Sequence, residues 1–211
     1  MASFIIRKMS AEYIIGIDEA GRGPLAGPVT VGLFYVAKIL LPEIEEEIFK
    51  TGIRDSKKLT AKRREKIFEL LNSWHKEGKV MIGHSHVGPD LIDKWGMTKS
   101  LAVGVKKVLQ PFAVRAEVLE VNLDGLLKAP AVFTNQATII KGDEKEVAIA
   151  LASVVAKVTR DNLMKKADLL YPQYKFGANK GYGTQVHIES LKVCGPCPIH
   201  RRSFLKKILK D

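Results

Sequence analysis

Two adjacent carboxylates, Asp18 and Glu19, stand just ahead of the glycine-rich turn Gly21-Arg22-Gly23, within the stretch Tyr13 to Val29 (YIIGIDEAGRGPLAGPV). Neighbouring strand residues point to opposite faces, so these two acids share a site only where the strand ends or bends. The glycines allow such a bend and let another backbone come close. Two further acids recur in similar settings: Asp124 before Gly125, and Asp143 after Gly142. A set of oxygen ligands with no nitrogen or sulfur donor nearby favours a hard cation, Mg²⁺ or Mn²⁺. Divalent ions at such a site can activate a water and stabilise a leaving oxygen, which is the chemistry of phosphodiester hydrolysis.

The elements that must position these groups follow from periodicity. Tyr13 to Ile17 is an apolar run suited to a strand buried on both faces. Thr30 to Val36 reads as a second strand returning from it, Val80 to His86 as a third and Glu117 to Asp124 as a fourth. Thr138 to Lys141 reads as a short fifth. Strand ends would then deliver all four acids, and open α/β sheets collect ligands at such ends. Pro42 to Lys50 suggests a short helix. Thr60 is a plausible N-cap for a helix whose buried stripe is Ile67, Leu70, Leu71 and Trp74. Pro89 to Trp95 and Thr98 to Leu109 predict two more helices. Glu146 to Leu169 predicts the longest helix, with Ala148, Ala152 and Ala156 as a small-residue ridge fit for close packing on the sheet. Its polar positions, Lys157, Arg160, Lys165 and Lys166, are expected to face away or toward substrate. A basic, glycine-rich loop follows (Lys175, Lys180 to Gly183), then a helix capped by Thr184 and a last amphipathic segment, Phe204 to Lys210.

Composition sets bounds on function. The 211 residues suffice for one core and are expected to form a single catalytic domain, 1–211. Against 23 acidic residues stand 34 Lys and Arg, a net charge of +11 that favours polyanionic partners. No apolar run approaches the roughly 18 residues of a membrane span, and the N-terminus lacks a secretory apolar core, so a cytoplasmic protein is expected. Cys194 and Cys197 form a CxxC without a second one; the expectation is a loop with two incidental thiols, with a disulfide between them left open. His84 and His86 share a strand face but have no third ligand nearby, and are read as ordinary strand-end histidines.

The blocks DEAGRGPLAGPV, DSKKL (Asp55 to Leu59), VNLDG (Val121 to Gly125), KGD (Lys141 to Asp143), ASVVAKVTRD (Ala152 to Asp161), YPQY, NKGYGT and PIHRRSF (Pro198 to Phe204) occur in one order across most of the chain. Together they resemble the type 2 ribonucleases H, and ribonuclease HII most closely. The sister family, ribonuclease HIII, resembles the chain less well because its turn typically has threonine where Arg22 stands. The resemblance implies a ribonuclease H-like α/β fold: a central five-stranded mixed sheet flanked by helices, with a C-terminal helical segment at about 184–211. It implies an endoribonuclease that uses Mg²⁺ or Mn²⁺ held by Asp18, Glu19, Asp124 and Asp143; a monomer is the default expectation, with oligomeric state left open. Its substrates would be RNA–DNA hybrids and DNA containing single ribonucleotides, incised on the 5′ side to leave a 3′-hydroxyl. The Gly21-Arg22-Gly23 backbone would read the 2′-hydroxyl, Arg22 and Lys57 would contact phosphate, and Tyr182 would stack at the RNA–DNA junction. Trp95-Gly96-Met97 departs from the family pattern, which puts substrate contacts from that segment in doubt. A reading from another class is a nucleic-acid-binding protein with vestigial acids, against which the presence of all four acids argues.

Overall fold

A computed structural model describes residues 12–50 and 60–209. The predicted contacts of Lys57, and the whole DSKKL block, lie outside the described residues. Five strands form one mixed sheet: β1 (Tyr13–Ala20), β2 (Val29–Ala37), β3 (Met81–Val87), β4 (Leu119–Asp124) and β5 (Gln136–Ile139), in the order β3-β2-β1-β4-β5. The β1–β2 and β2–β3 pairs are antiparallel, whereas β1–β4 and β4–β5 are parallel. The helices are α1 (Leu41–Lys50), α2 (Ala61–Lys76), α3 (Pro89–Leu109), α4 (Val147–Leu170), α5 (Phe176–Asn179), α6 (Gln185–Cys194) and α7 (Arg202–Leu205). The fold matches the expected mixed sheet with flanking helices.

Strand alternation divides the core. Ile15 and Ile17 of β1 pack with Val31 and Leu33 of β2 against Leu101, Val105 and Leu109 of α3. On the opposite face Ile14, Phe34 and Val36 meet Ile44 of α1, Ile67 and Leu71 of α2, and Leu151 and Val155 of α4. The alanine ridge works as its spacing predicts. A Cβ on Gly16 would lie 2.0 Å from the Ala148 carbonyl oxygen, and one on Gly32 would lie 2.3 Å from that of Ala152. Two bare strand positions thus let α4 lie directly on β1 and β2.

Several boundaries differ from the periodicity. β5 ends at Ile139, because Lys141 takes a left-handed conformation (φ 56°) and starts a 3₁₀ turn over Gly142–Glu144. The segment Pro89–Leu109 is broken at Gly96 (φ 75°, ψ 166°), where the departing Trp95-Gly96-Met97 triplet sits. Within the last amphipathic segment, α7 ends at Leu205 and residues 206–208 run in turns. Both cysteines are free thiols: Cys194 is exposed and Cys197 buried. Among the described residues no helix is long and apolar enough to cross a membrane.

Candidate active site

Parallel pairing of β1 with β4 runs from Tyr13 opposite Leu119 to Ile17 opposite Leu123. The next residues on the two strands are Asp18 and Asp124. Neighbouring parallel strands thus present carboxylates side by side where their ladder stops, on the face shared with Gly16 and covered by α4. Glu19 belongs to the other face by alternation, yet ligand oxygens of Asp18, Glu19 and Asp124 all lie within 4.8 Å of one another. The strand's end permits that reach. Asp18 also folds back to accept a hydrogen bond from the Glu19 backbone N–H at 2.7 Å.

Crowding three acids is electrostatically unfavourable, and the site shows it. Asp18 is 5% exposed. Burial first, then repulsion from Glu19 and Asp124, pushes its carboxyl up to about 7. Glu19 is likewise held above the usual carboxylate range, chiefly by burial, although the Arg22 guanidinium donates to its Oε1 at 2.8 Å. The other oxygen, Glu19 Oε2, is buried without a hydrogen-bond partner. An orphaned buried carboxylate oxygen beside two more acids is the donor set a hard divalent cation takes.

Asp143 is not a strand-end residue. It follows Gly142, whose N–H donates to Asp124 Oδ1 at 2.6 Å, and stands partly buried in the 3₁₀ turn that this contact anchors. The three-acid group itself does not include it. His84 and His86 belong to no three-ligand group among the described residues; His86 Nδ1 instead pairs with Thr30 Oγ1 at 2.8 Å.

A cleft of ≈ 440 Å³ opens from Glu19 along the Gly21-Arg22-Gly23 turn to Tyr182. The Tyr182 ring lies against the turn, 3.9 Å from where a Gly23 Cβ would be, and is about half exposed. Arg64, Lys157 and Lys180 add positive charge to the walls. Sequence reasoning passed over Arg64 and treated Lys157 only as part of a polar helix end. Nothing in α2's periodicity marks Arg64 as different from its charged neighbours.

Arg160 departs furthest from expectation. It is buried at the cleft wall rather than solvated: it is 2% exposed and donates to the carbonyls of Pro28 (3.0 Å) and Ala26 (3.2 Å). It underlies the loop from Gly21 to Pro28 because one helical turn beyond Ala156 the sheet has ended, leaving unpaired loop carbonyls for a long donor to meet.

With this geometry in place, similarity to known proteins is decisive. The sequence profile of the family described as Ribonuclease HII matches residues 15–207. The chain belongs to the ribonuclease HII family. The Ribonuclease HII of Caldanaerobacter subterraneus subsp. tengcongensis is 44% identical over 198 residues, covering 94% of this chain and 76% of that protein. The crystal structure of ribonuclease H2 from Pyrococcus horikoshii OT3 is similar with a TM-score of 0.69 and 27% identity, over 93% of this chain and 96% of that one. Bst-RNase HIII in complex with Mn²⁺ shares the fold alone, with a TM-score of 0.70 at 18% identity, over 95% of this chain and 70% of that one. As a ribonuclease HII the chain is a metal-dependent nuclease that hydrolyses RNA in RNA–DNA hybrids, and its acidic cluster fits that chemistry.

Proposed function

We propose that this enzyme incises duplex DNA on the 5′ side of a single embedded ribonucleotide, as well as cutting the RNA strand of hybrids, by two-metal-ion catalysis with Mg²⁺ or Mn²⁺. The observation that carries the reading is a cluster of three converging acids whose Glu19 opens onto one cleft with the glycine turn and the exposed Tyr182. Asp18 and Asp124 would hold both ions between them, with Glu19 and Asp143 completing the two sites. Bound cations would supply Lewis acidity to the attacking water and the departing oxygen. The chain's own groups do the rest. Exposed backbone at Gly23, next to the buried Gly21 on the cleft wall, would let a 2′-hydroxyl come within hydrogen-bond distance, the one group that separates ribose from deoxyribose. Arg22, now engaged by Glu19, would pass to the phosphate beside the ribonucleotide once a cation balances that acid. Tyr182 would stack on the next sugar, where a deoxyribose fits and a 2′-hydroxyl crowds the ring. Products are a 3′-hydroxyl and a 5′-phosphate.

On this reading the whole chain is one catalytic domain, acting as a monomer in the cytoplasm on DNA carrying misincorporated ribonucleotides. The test is cleavage of a labelled DNA duplex with one ribonucleotide, beside an RNA–DNA hybrid, with Mg²⁺ or Mn²⁺ and with EDTA. Incision 5′ to the ribonucleotide, abolished by EDTA, is expected. Cleavage of the hybrid alone would remove the junction-reading role of Tyr182. Binding without cleavage of either would remove the mechanism.

A further inference from the structure

The segment carrying PIHRRSF lies far from the acids in sequence, yet it is built into the turn beside them. Arg201 is fully buried at 0% exposure. Its Nε donates to the Gly27 carbonyl (2.9 Å), Nη1 to that of Arg22 (2.9 Å) and Nη2 to that of Gly21 (2.6 Å). Its backbone N–H donates to Leu25 O, and Gly27 N–H donates to Ile199 O, each at 2.8 Å. Among the described residues no ion pair satisfies Arg201 or Arg160, and burial followed by the nearby Arg160 charge brings Arg201 down to about 9. A buried guanidinium whose hydrogen bonds go to carbonyls, with the Phe204 ring 5.2 Å beneath its Cζ, is costly, and a lysine could satisfy just part of its fork.

The residue before it extends the connection to Tyr182. Tyr182 O must accept from His187 Nδ1 (2.8 Å), so His187 carries its proton there. Cys197 N–H donates to His200 Nδ1 (2.9 Å), so His200 carries its proton on Nε2. The remaining contact, Nε2 to Nε2 at 2.9 Å, is then a good hydrogen bond from His200 to His187. Both rings are buried and neutral, and each tautomer is dictated by its neighbour. Tyr174 and Phe176 pack around them, with ring centroids 4.8–6.1 Å from the imidazoles.

We infer that Arg201, together with the directed His200–His187 pair, is a positioning device that sets the Gly21-Arg22-Gly23 turn at a fixed distance from Tyr182, and so governs selection of a lone ribonucleotide followed by DNA. Arg201 grips the turn by the Gly21 and Arg22 carbonyls and the loop after it by that of Gly27; His187 grips the Tyr182 carbonyl; His200 joins the two through its neighbouring position in the chain. This rests on the proposed reading that the turn senses the 2′-hydroxyl and Tyr182 the adjoining deoxyribose. A small error in this spacing would leave the acids in place but misalign the junction. Hybrid cleavage offers many registers and is less exposed to such an error.

The test compares kcat and KM on the single-ribonucleotide duplex and on the RNA–DNA hybrid for wild type, Arg201→Lys, Tyr182→Ala and the double variant. For Arg201→Lys the ratio of single-ribonucleotide to hybrid kcat/KM should fall at least about tenfold, as misplacement by an ångström can cost more than that. In the Tyr182→Ala background the same substitution should leave the ratio nearly unchanged, because the spacing no longer has a reader. Equal losses on both substrates, or independent effects in the double variant, would overturn the inference. Wild-type enzyme that ignores the single ribonucleotide would instead defeat the proposed function beneath it. Should Arg201→Lys not fold, long-range ¹H–¹⁵N spectra of wild type decide: His187 must be the Nδ1–H tautomer and His200 the Nε2–H tautomer, with both shifted by a ribonucleotide-containing duplex and unmoved by all-DNA. Any other tautomer pair, or equal shifts with both duplexes, overturns it.

Discussion

Asp18 and Asp124 occupy the first position past the last paired rung of two parallel strands, Ile17 opposite Leu123, so their carboxylates meet on the face covered by α4. Backbone register, rather than any long side chain, brings them together. That makes the cluster rigid and leaves its repulsion unrelieved in the metal-free protein.

Asp18→Asn should therefore separate activity from stability. Catalysis should drop by about 10²–10³-fold or more, as on removal of a preorganised electrostatic group. The metal-free fold should become more stable at pH 8, because a carboxylate pushed up to about 7 by burial and its acidic neighbours is ionised there at a cost. For a chain of this size each kcal/mol recovered raises Tm by about 2–4 °C. Thermal unfolding in EDTA, paired with hybrid cleavage, is the measurement; an unchanged or lower Tm would contradict the account of the site.

Tyr182→Ala should weaken single-ribonucleotide incision by about 5–150-fold, the range of about 1–3 kcal/mol for one stacking contact. The hybrid should lose less. The ring is half exposed and holds little of the core, so Tm should stay close to wild type. A comparable loss on both substrates would reassign the ring to general phosphate-channel packing.

Gly16→Ala probes the contact between α4 and the sheet. The new methyl would sit 2.0 Å from the Ala148 carbonyl oxygen, a backbone atom with no side chain to swing aside. Destabilisation of about 3 kcal/mol or more is expected, at the upper end for overpacking. Because α4 also carries Lys157 and Arg160 to the cleft, any surviving enzyme should lose activity as well. Denaturant melts and cleavage rates check both, and a wild-type midpoint would show that α4 does not lie where described.

The imidazoles set an acid limit. Burial and the partner ring bring His200 down to about 4; burial, with the nearby His84, does the same for His86; burial also lowers His187. The folded values lie below the unfolded value of 6.5, so the unfolded chain takes up protons first. Their contribution is complete above pH 6.5 and is lost as pH falls toward 4. Asp18 acts in the opposite sense over that window, so the clean comparison is Asp18→Asn against Asp18→Asn with His200→Gln. The histidine-containing protein should lose Tm more steeply between pH 6.5 and 4.5; parallel curves would mean the His200 ring is not held neutral.

The strands, the alanine ridge and the acid pair were legible because each leaves a local mark: an apolar run, a spacing of four, two carboxylates at a run's end. Asp124 was legible for the same reason. The end of β5 was not, since Ile140 and Lys141 continue its composition while the left-handed Lys141 backbone stops it. Arg160 and Arg201 were the larger omission. In sequence each is one basic residue among several in a chain of charge +11, and only the carbonyls of a distant loop distinguish them from a solvated surface.

The hydrogen bond from Arg201 to Gly21 closes a span of 180 residues. During synthesis the acids of β1 and β4 and the helix that covers them leave the ribosome well before residue 201 does. The turn beside Asp18 therefore waits, with its carbonyls in water, for 180 further residues to emerge. Closing so long a loop late slows folding relative to local pairing. A nascent chain thus brings its acids together before the turn beside them acquires its last hydrogen-bond donor, Arg201.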